Sequence, residues 1–168
     1  MEGQDWADRH VARWRDHWVD VPFEDDVEAI VVRLGRLHRH FRGTTQRALV
    51  EVGLQDFEYE TLHLLMVRDT PGLASPSALA ADLGISNAGM TGRLDGLEKA
   101  GWIQRSSDPD DRRRVSIEVT REGIKRWRRA MALQGSAEVE VVHLLSPEER
   151  ATLASLLRRM TLWVEEGE

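Results

Sequence analysis

Arg112, Arg113 and Arg114 stand together in the stretch "RSSDPDDRRRVSIEVT", residues 105–120, directly after Asp108, Pro109, Asp110 and Asp111. A guanidinium is flat, always charged and able to grip a phosphate or carboxylate through two parallel N–H bonds. The alternation Val115, Ile117, Val119 reads as a strand, and strand side chains point to opposite faces in turn. The three arginines therefore cannot all point one way. One is placed to enter a minor groove and another to meet a phosphate, the division of labour expected of an arginine-tipped hairpin on duplex DNA. The aspartates would repel such a partner, so their expected work is bracing. A carboxylate can hold an arginine stem or accept N–H groups in the turn that Pro109 begins. Alone, a charged run of this kind is an ordinary solvated loop.

A second set of polar and small residues lies just before it, in "SNAGMTGRLDGLEKAG", residues 86–101. Ser86 is a suitable N-cap and Gly101 a suitable terminator, so the spacing predicts a helix. Met90, Leu94 and Leu97 define its buried face, which leaves Ala88, Thr91, Gly92 and Asp95 pointing broadly outward. Ser86, Asn87 and Thr91 offer hydrogen bonds to bases or phosphates, and Ala88 offers contact to a thymine methyl. Gly92 keeps the surface low. Such a face reads few bases directly and leans on DNA shape and two-fold spacing.

The elements that would carry these residues follow from periodicity and punctuation. "DWADRHVARWRDHW" (5–18) predicts a short helix, with His10, Trp14 and Trp18 spaced by four. Val27, Ile30, Val31, Leu34, Leu37 and Phe41 predict a helix from 27 to about 52, closed by Gly53. A helix over 57–68, a turn at "DTPGLASP", a short helix at "SALAADLG" and the helix from Ser86 come next. "WIQRS" and "VSIEVT" are read as two strands, then helices over about 121–143 and 147–165. The last opens on "SPEE" and carries the stripe Leu153, Leu156, Leu157, Met160, Trp163.

The fold class expected is mainly α with a small β-hairpin: a winged helix-turn-helix flanked by N- and C-terminal dimerisation helices. Its parts are an extension helix (1–26), a dimerisation helix (27–55), the winged helix-turn-helix (56–120) and C-terminal dimerisation helices (121–168). The long flanking helices are too apolar to stand alone, which predicts a homodimer.

Composition agrees. The 168 residues carry a formal net charge of −6, but residues 86–130 hold 11 basic and 7 acidic groups, a local excess of +4. Residues 1–28 carry −6 and residues 131–168 carry −4, while 29–85 balance. With no cysteine there is no disulfide, thiolate ligand or thiol sensor. No apolar run approaches the roughly 18–20 residues of a membrane span, and the acidic start lacks the order of a signal peptide. A cytoplasmic protein without membrane partner is expected. His38 and His40, two apart on a helix, do not face each other, so no metal is expected. No phosphate loop, nucleophile elbow or zinc-hydrolase motif is present; the chain reads as a non-enzyme without cofactor.

The segment "LAADLGISNAGMTGRLDGLEKAGWIQRSSDPDDRRRVSIEVTREG" resembles the core of the multiple antibiotic resistance regulator (MarR) family. The resemblance covers about residues 27–165 and is most specific in "LEKAG", "DPDDRR" and "VTREG" taken together. It implies a dimeric winged-helix regulator, typically a repressor, released from operator DNA by a small ligand. Family members that respond to urate or related anions use a tryptophan in an added N-terminal helix, a carboxylate in the second core helix and two arginines. By that resemblance Trp14, Glu60, Arg93 and Arg105 are the candidate ligand residues, and a urate-like or carboxylate anion the candidate effector. Glu60 departs from the pattern, which has aspartate there, and Trp18 competes with Trp14 for the tryptophan position. The alternatives are a structural ion pair of Glu60 with Arg93 or Arg105, and a Trp14 that packs on the dimer. The alternative function is a winged-helix protein–protein interaction module without specific DNA binding.

Overall fold

The computed structural model describes residues 3–15, 17, 24–107 and 115–167. The elements run α1 (Trp6–Arg15), α2 (Asp25–Val52), α3 (Asp56–Val67), β1 (Leu73–Ala74), α4 (Pro76–Asp82), α5 (Asn87–Lys99), β2 (Ile103–Ser107), β3 (Val115–Val119), α6 (Arg121–Val142) and α7 (Pro147–Glu165). Their ends are set by the expected chemistry. Ser75, Ser86 and Ser146 each accept a backbone N–H three residues on, from Ala78, Gly89 and Glu149 respectively. Glu149 returns a bond to the Ser146 N–H, completing a capping box. Gly53, Gly84 and Gly101 follow α2, α4 and α5 at φ of 69°, 61° and 75°, a left-handed backbone that a side chain would disfavour.

Among the described residues the sheet has three strands, where the sequence predicts two. Leu73 and Ala74, within the turn expected at "DTPGLASP", pair with Glu118 and Ile117 of β3. Strand order is β1-β3-β2, with Ile103 opposite Val119 and Arg105 opposite Ile117. Two residues are too few to show an alternation, so periodicity could not reveal β1. What positions it is Gly72, whose N–H donates to the Leu65 carbonyl and whose carbonyl accepts from Val119.

Two compact units divide the chain, Met1–Thr44 and Thr45–Glu168. In the second, Met90, Leu94 and Leu97 of α5 are fully buried against a core that includes Leu62, Leu79 and Ile117. Burying each such side chain stabilises the fold by about 1.5–3 kcal/mol, which fixes the face α5 turns outward. The hairpin is tied to α6 at "VTREG". Thr120 donates to the Gly101 carbonyl at 2.7 Å while its hydroxyl accepts the Gly123 N–H and caps α6. A side chain at Gly123 would collide with the Trp102 carbonyl, so only glycine allows this approach. Arg126 then lies over the Trp102 ring, 4.9 Å from its centroid, and donates to the Val52 carbonyl. Between α3 and α6, the Tyr59 hydroxyl has Met131 Sδ at 3.0 Å and Gln134 Oε1 at 3.1 Å as acceptors; burial raises its pKa.

In the first unit α1 buries Ala7 and Val11. Arg33 of α2 bonds Asp5 at 2.9 Å and Asp8 at 2.7 Å, and Arg36 lies over the Trp6 ring. Trp18, one of the spaced aromatics of the expected helix, lies outside the described residues. In the second unit, α7 buries none of its residues, and Trp163 is 78% exposed. Among the described residues no helix is long and apolar enough to cross a membrane, and no cluster of histidine and carboxylate side chains is arranged to hold a metal.

Candidate nucleic-acid interface and anion site

Ser86, Asn87, Ala88, Thr91 and Gly92 are all exposed, on the side of α5 opposite its buried leucines. Their hydrogen-bonding capacity is narrower than their types suggest. The Ser86 hydroxyl already accepts from Gly89 as the cap, and the Thr91 hydroxyl donates to the Asn87 carbonyl at 2.9 Å. Thr91 therefore presents a methyl group and oxygen lone pairs, and Asn87 keeps its side-chain amide for an incoming group. Gly92 is not required by the fold: a Cβ added there meets nothing within 4 Å. A glycine inside a helix costs about 0.5–1 kcal/mol relative to alanine, and the same open space surrounds Gly96 of this helix. Arg112, Arg113 and Arg114, with the aspartates before them, lie outside the described residues.

The candidate ligand residues are brought together in part. Arg93 leaves the outward face of α5, as its position near Leu94 implies, and its guanidinium donates to Glu60 Oε2 of α3 at 2.7 Å. The same guanidinium sits 5.7 Å from the centroid of the Phe57 ring. Arg105 goes elsewhere. It bonds Asp95 Oδ1 at 2.6 Å and approaches Glu98 Oε2 at 3.3 Å, while its backbone N–H donates to Glu98. The first residue of the opening stretch is thus a clamp between β2 and α5. Sequence reasoning missed Asp95 and Glu98 as its partners. The signal was available: carboxylates three apart on a helix share a side, and the chain doubles back two residues after Gly101. Trp14 belongs to the first unit, where its indole N–H donates to His10 Nδ1 at 2.9 Å.

A short helix, a capped second helix with a small-residue outer face, and a hairpin clamped to that helix make a winged helix-turn-helix, the architecture of a DNA-binding transcriptional regulator. The MarR family profile matches residues 58–115. The chain is 32% identical over 152 residues to the HTH-type transcriptional regulator PecS of Dickeya dadantii (strain 3937), covering 89% of each protein. The chain belongs to the MarR family; it is a transcriptional regulator and not an enzyme. Its fold is similar to that of the YusO protein from Bacillus subtilis, with a TM-score of 0.72 at 18% identity, covering 84% of this chain and 99% of that one. It is similar as well to the S. aureus MepR–DNA complex, with a TM-score of 0.64 at 22% identity, covering 77% and 95%.

Proposed function

We propose that the protein is a homodimeric repressor that binds a two-fold operator through α5 and the hairpin arginines and is released by a small anion. The observation that carries the DNA-binding part is the outer face of α5, where exposed Asn87, Ala88 and Thr91 surround a glycine the fold does not need. Pairing of two copies is supported by α7, whose Leu153, Leu156, Met160 and Trp163 are exposed within one 19-residue helix. Exposed apolar side chains gathered along one helix are characteristic of an interface. Similar proteins crystallised with DNA, MepR of S. aureus among them, support duplex DNA as the partner.

The effector reading rests on Arg93 and Arg105. Each is held by carboxylates of the protein itself, Glu60 for one and Asp95 with Glu98 for the other. A urate-like or carboxylate anion would replace those carboxylates on the guanidinium groups. Because Arg93 ties α5 to α3 and Arg105 ties it to β2, such replacement would alter the setting of the recognition helix against the wing. Trp14 is carried as a separate candidate from the first unit.

The test is release from upstream DNA. Urate and small polycarboxylates, screened first by thermal shift, are expected to dissociate the wild-type complex. The variant carrying Arg93→Gln and Arg105→Gln is expected to bind DNA without release. Unaltered release in that variant would overturn the anion site while leaving the DNA-binding face standing.

A further inference from the structure

We propose that His10 is a proton-operated positioning residue for Trp14, holding the indole in one orientation only while its own ring is neutral. Everything it uses lies in the first unit, so its failure and that of the DNA-binding reading are distinguishable.

Trp6, His10 and Trp14 recur every fourth residue along α1 and so share a face. Trp6 stacks on the imidazole, with centroids 5.0 Å apart and planes at 26°. Trp14 meets it edge-on at 5.3 Å. Both ring nitrogens are engaged. The Trp14 Nε1–H lies 2.9 Å from His10 Nδ1, and Glu28 Oε1 of α2 lies 3.0 Å from His10 Nε2.

These partners settle the tautomer. An indole nitrogen only donates, so Nδ1 must present its lone pair; Nε2 then carries the ring hydrogen and donates to the carboxylate. A proton added to the ring has one place to go, Nδ1, which turns the acceptor of the Trp14 bond into a donor. Two N–H groups cannot face each other at that distance. The indole must turn away.

The rest of the arrangement holds under the same change. The Nε2–H bond to the Glu28 carboxylate becomes an ion pair and stronger, and the Trp6 stack gains cation–π character. Other charges nearby are engaged elsewhere: Arg33 by Asp5 and Asp8, Arg15 by Asp25, and Arg36 by the Trp6 ring. Among the described residues, Glu28 is the charged group bonded to the imidazole. Protonation therefore breaks the bond between His10 and Trp14 and keeps the one between His10 and Glu28. Trp14 is half-buried, and with His10 charged its N–H no longer donates to His10.

The experiment is a series of 1H–15N spectra of the indole N–H groups of the full chain from pH 8 to pH 5. The Trp14 signal is assigned by its loss in Trp14→Phe. It is expected to move in a single step across that series, as the imidazole gains a proton. In His10→Gln the amide oxygen can accept from Trp14 and the amide nitrogen can donate to Glu28. That variant is expected to keep the neutral-pH signal position and lose the titration. A Trp14 signal that stays fixed in the wild type, or that titrates equally in His10→Gln, overturns the proposal. Should His10→Gln fail to fold, long-range 1H–15N spectra of the wild-type imidazoles decide it. The proposal requires His10 to be the Nε2–H tautomer at pH 8, and an Nδ1–H tautomer overturns it.

Discussion

Arg93 on α5 donates to Glu60 on α3 at 2.7 Å, so the helix expected to read DNA is tied to the first helix of the winged helix-turn-helix region. The carboxylate is more than half exposed and the guanidinium 23% exposed. A solvent-screened pair of this kind is worth no more than about 1 kcal/mol. Glu60→Gln is therefore expected to leave stability nearly unchanged in chemical denaturation. It should lower by several-fold the anion concentration that half-releases DNA, because the anion no longer competes with a carboxylate. An unchanged midpoint would separate Arg93 from effector binding.

Gly92 gives a prediction in which stability and function move in opposite directions. Nothing within 4 Å meets an added Cβ, and alanine is the better helix former by about 0.5–1 kcal/mol. Gly92→Ala is expected to raise the denaturation midpoint while weakening DNA binding several-fold. A more stable variant with undiminished affinity would remove Gly92 from the interface.

Much of this was legible in the residues, and the reasons differ from place to place. Ser86, Gly101, Met90, Leu94 and Leu97 act within one helix, so cap, terminator and buried face could be read by spacing alone. The alternation of Val115, Ile117 and Val119 was visible for the same local reason. What escaped depends on chain reversal. Thr120 meeting Gly101, Arg105 meeting Asp95, and Leu73 pairing with Glu118 each join residues at least ten apart whose approach the tertiary fold decides. The Glu60–Arg93 pair was anticipated as one of two pairings under the alternative to a ligand site, and Arg105 pairs with Asp95 and Glu98 instead.

The junction of hairpin and α6 is expected to be sensitive to very small changes. Thr120→Ala removes an N-cap and a bond to Gly101, a loss of about 1 kcal/mol for the cap alone. Gly123→Ala forces a methyl group onto the Trp102 carbonyl, and overpacking of that kind costs about 1–3 kcal/mol. Equilibrium urea unfolding measures both. A Gly123→Ala chain as stable as the parent would contradict the close approach.

Acid should loosen α1 through Asp5, whereas protonation of His10 leaves the bond to Glu28 in place. The Asp5 carboxyl is held below its ordinary range by the Asp8 backbone N–H first and by Arg33 second. Its folded value lies beneath its unfolded one, so its stabilising contribution is present above the ordinary carboxylate range, about pH 4. That contribution fades as pH falls through the folded value. Amide exchange of α1 should accelerate below about pH 4, and Asp5→Asn should flatten that acid dependence. Equal acid dependence in the variant would assign the effect to another group.

The most direct measurement of the central claim is the affinity of the protein for the DNA upstream of its own gene across a salt series. Specific binding is expected at low salt, with log K falling linearly as log salt rises because phosphate contacts release counterions. Replacing Arg112, Arg113 and Arg114 with glutamine should make that slope shallower, and Asn87→Ala should weaken specific binding with little effect on slope. No binding to the upstream DNA at low salt, or a slope unmoved by loss of the three arginines, would contradict the reading of α5 and the hairpin as one DNA-binding surface.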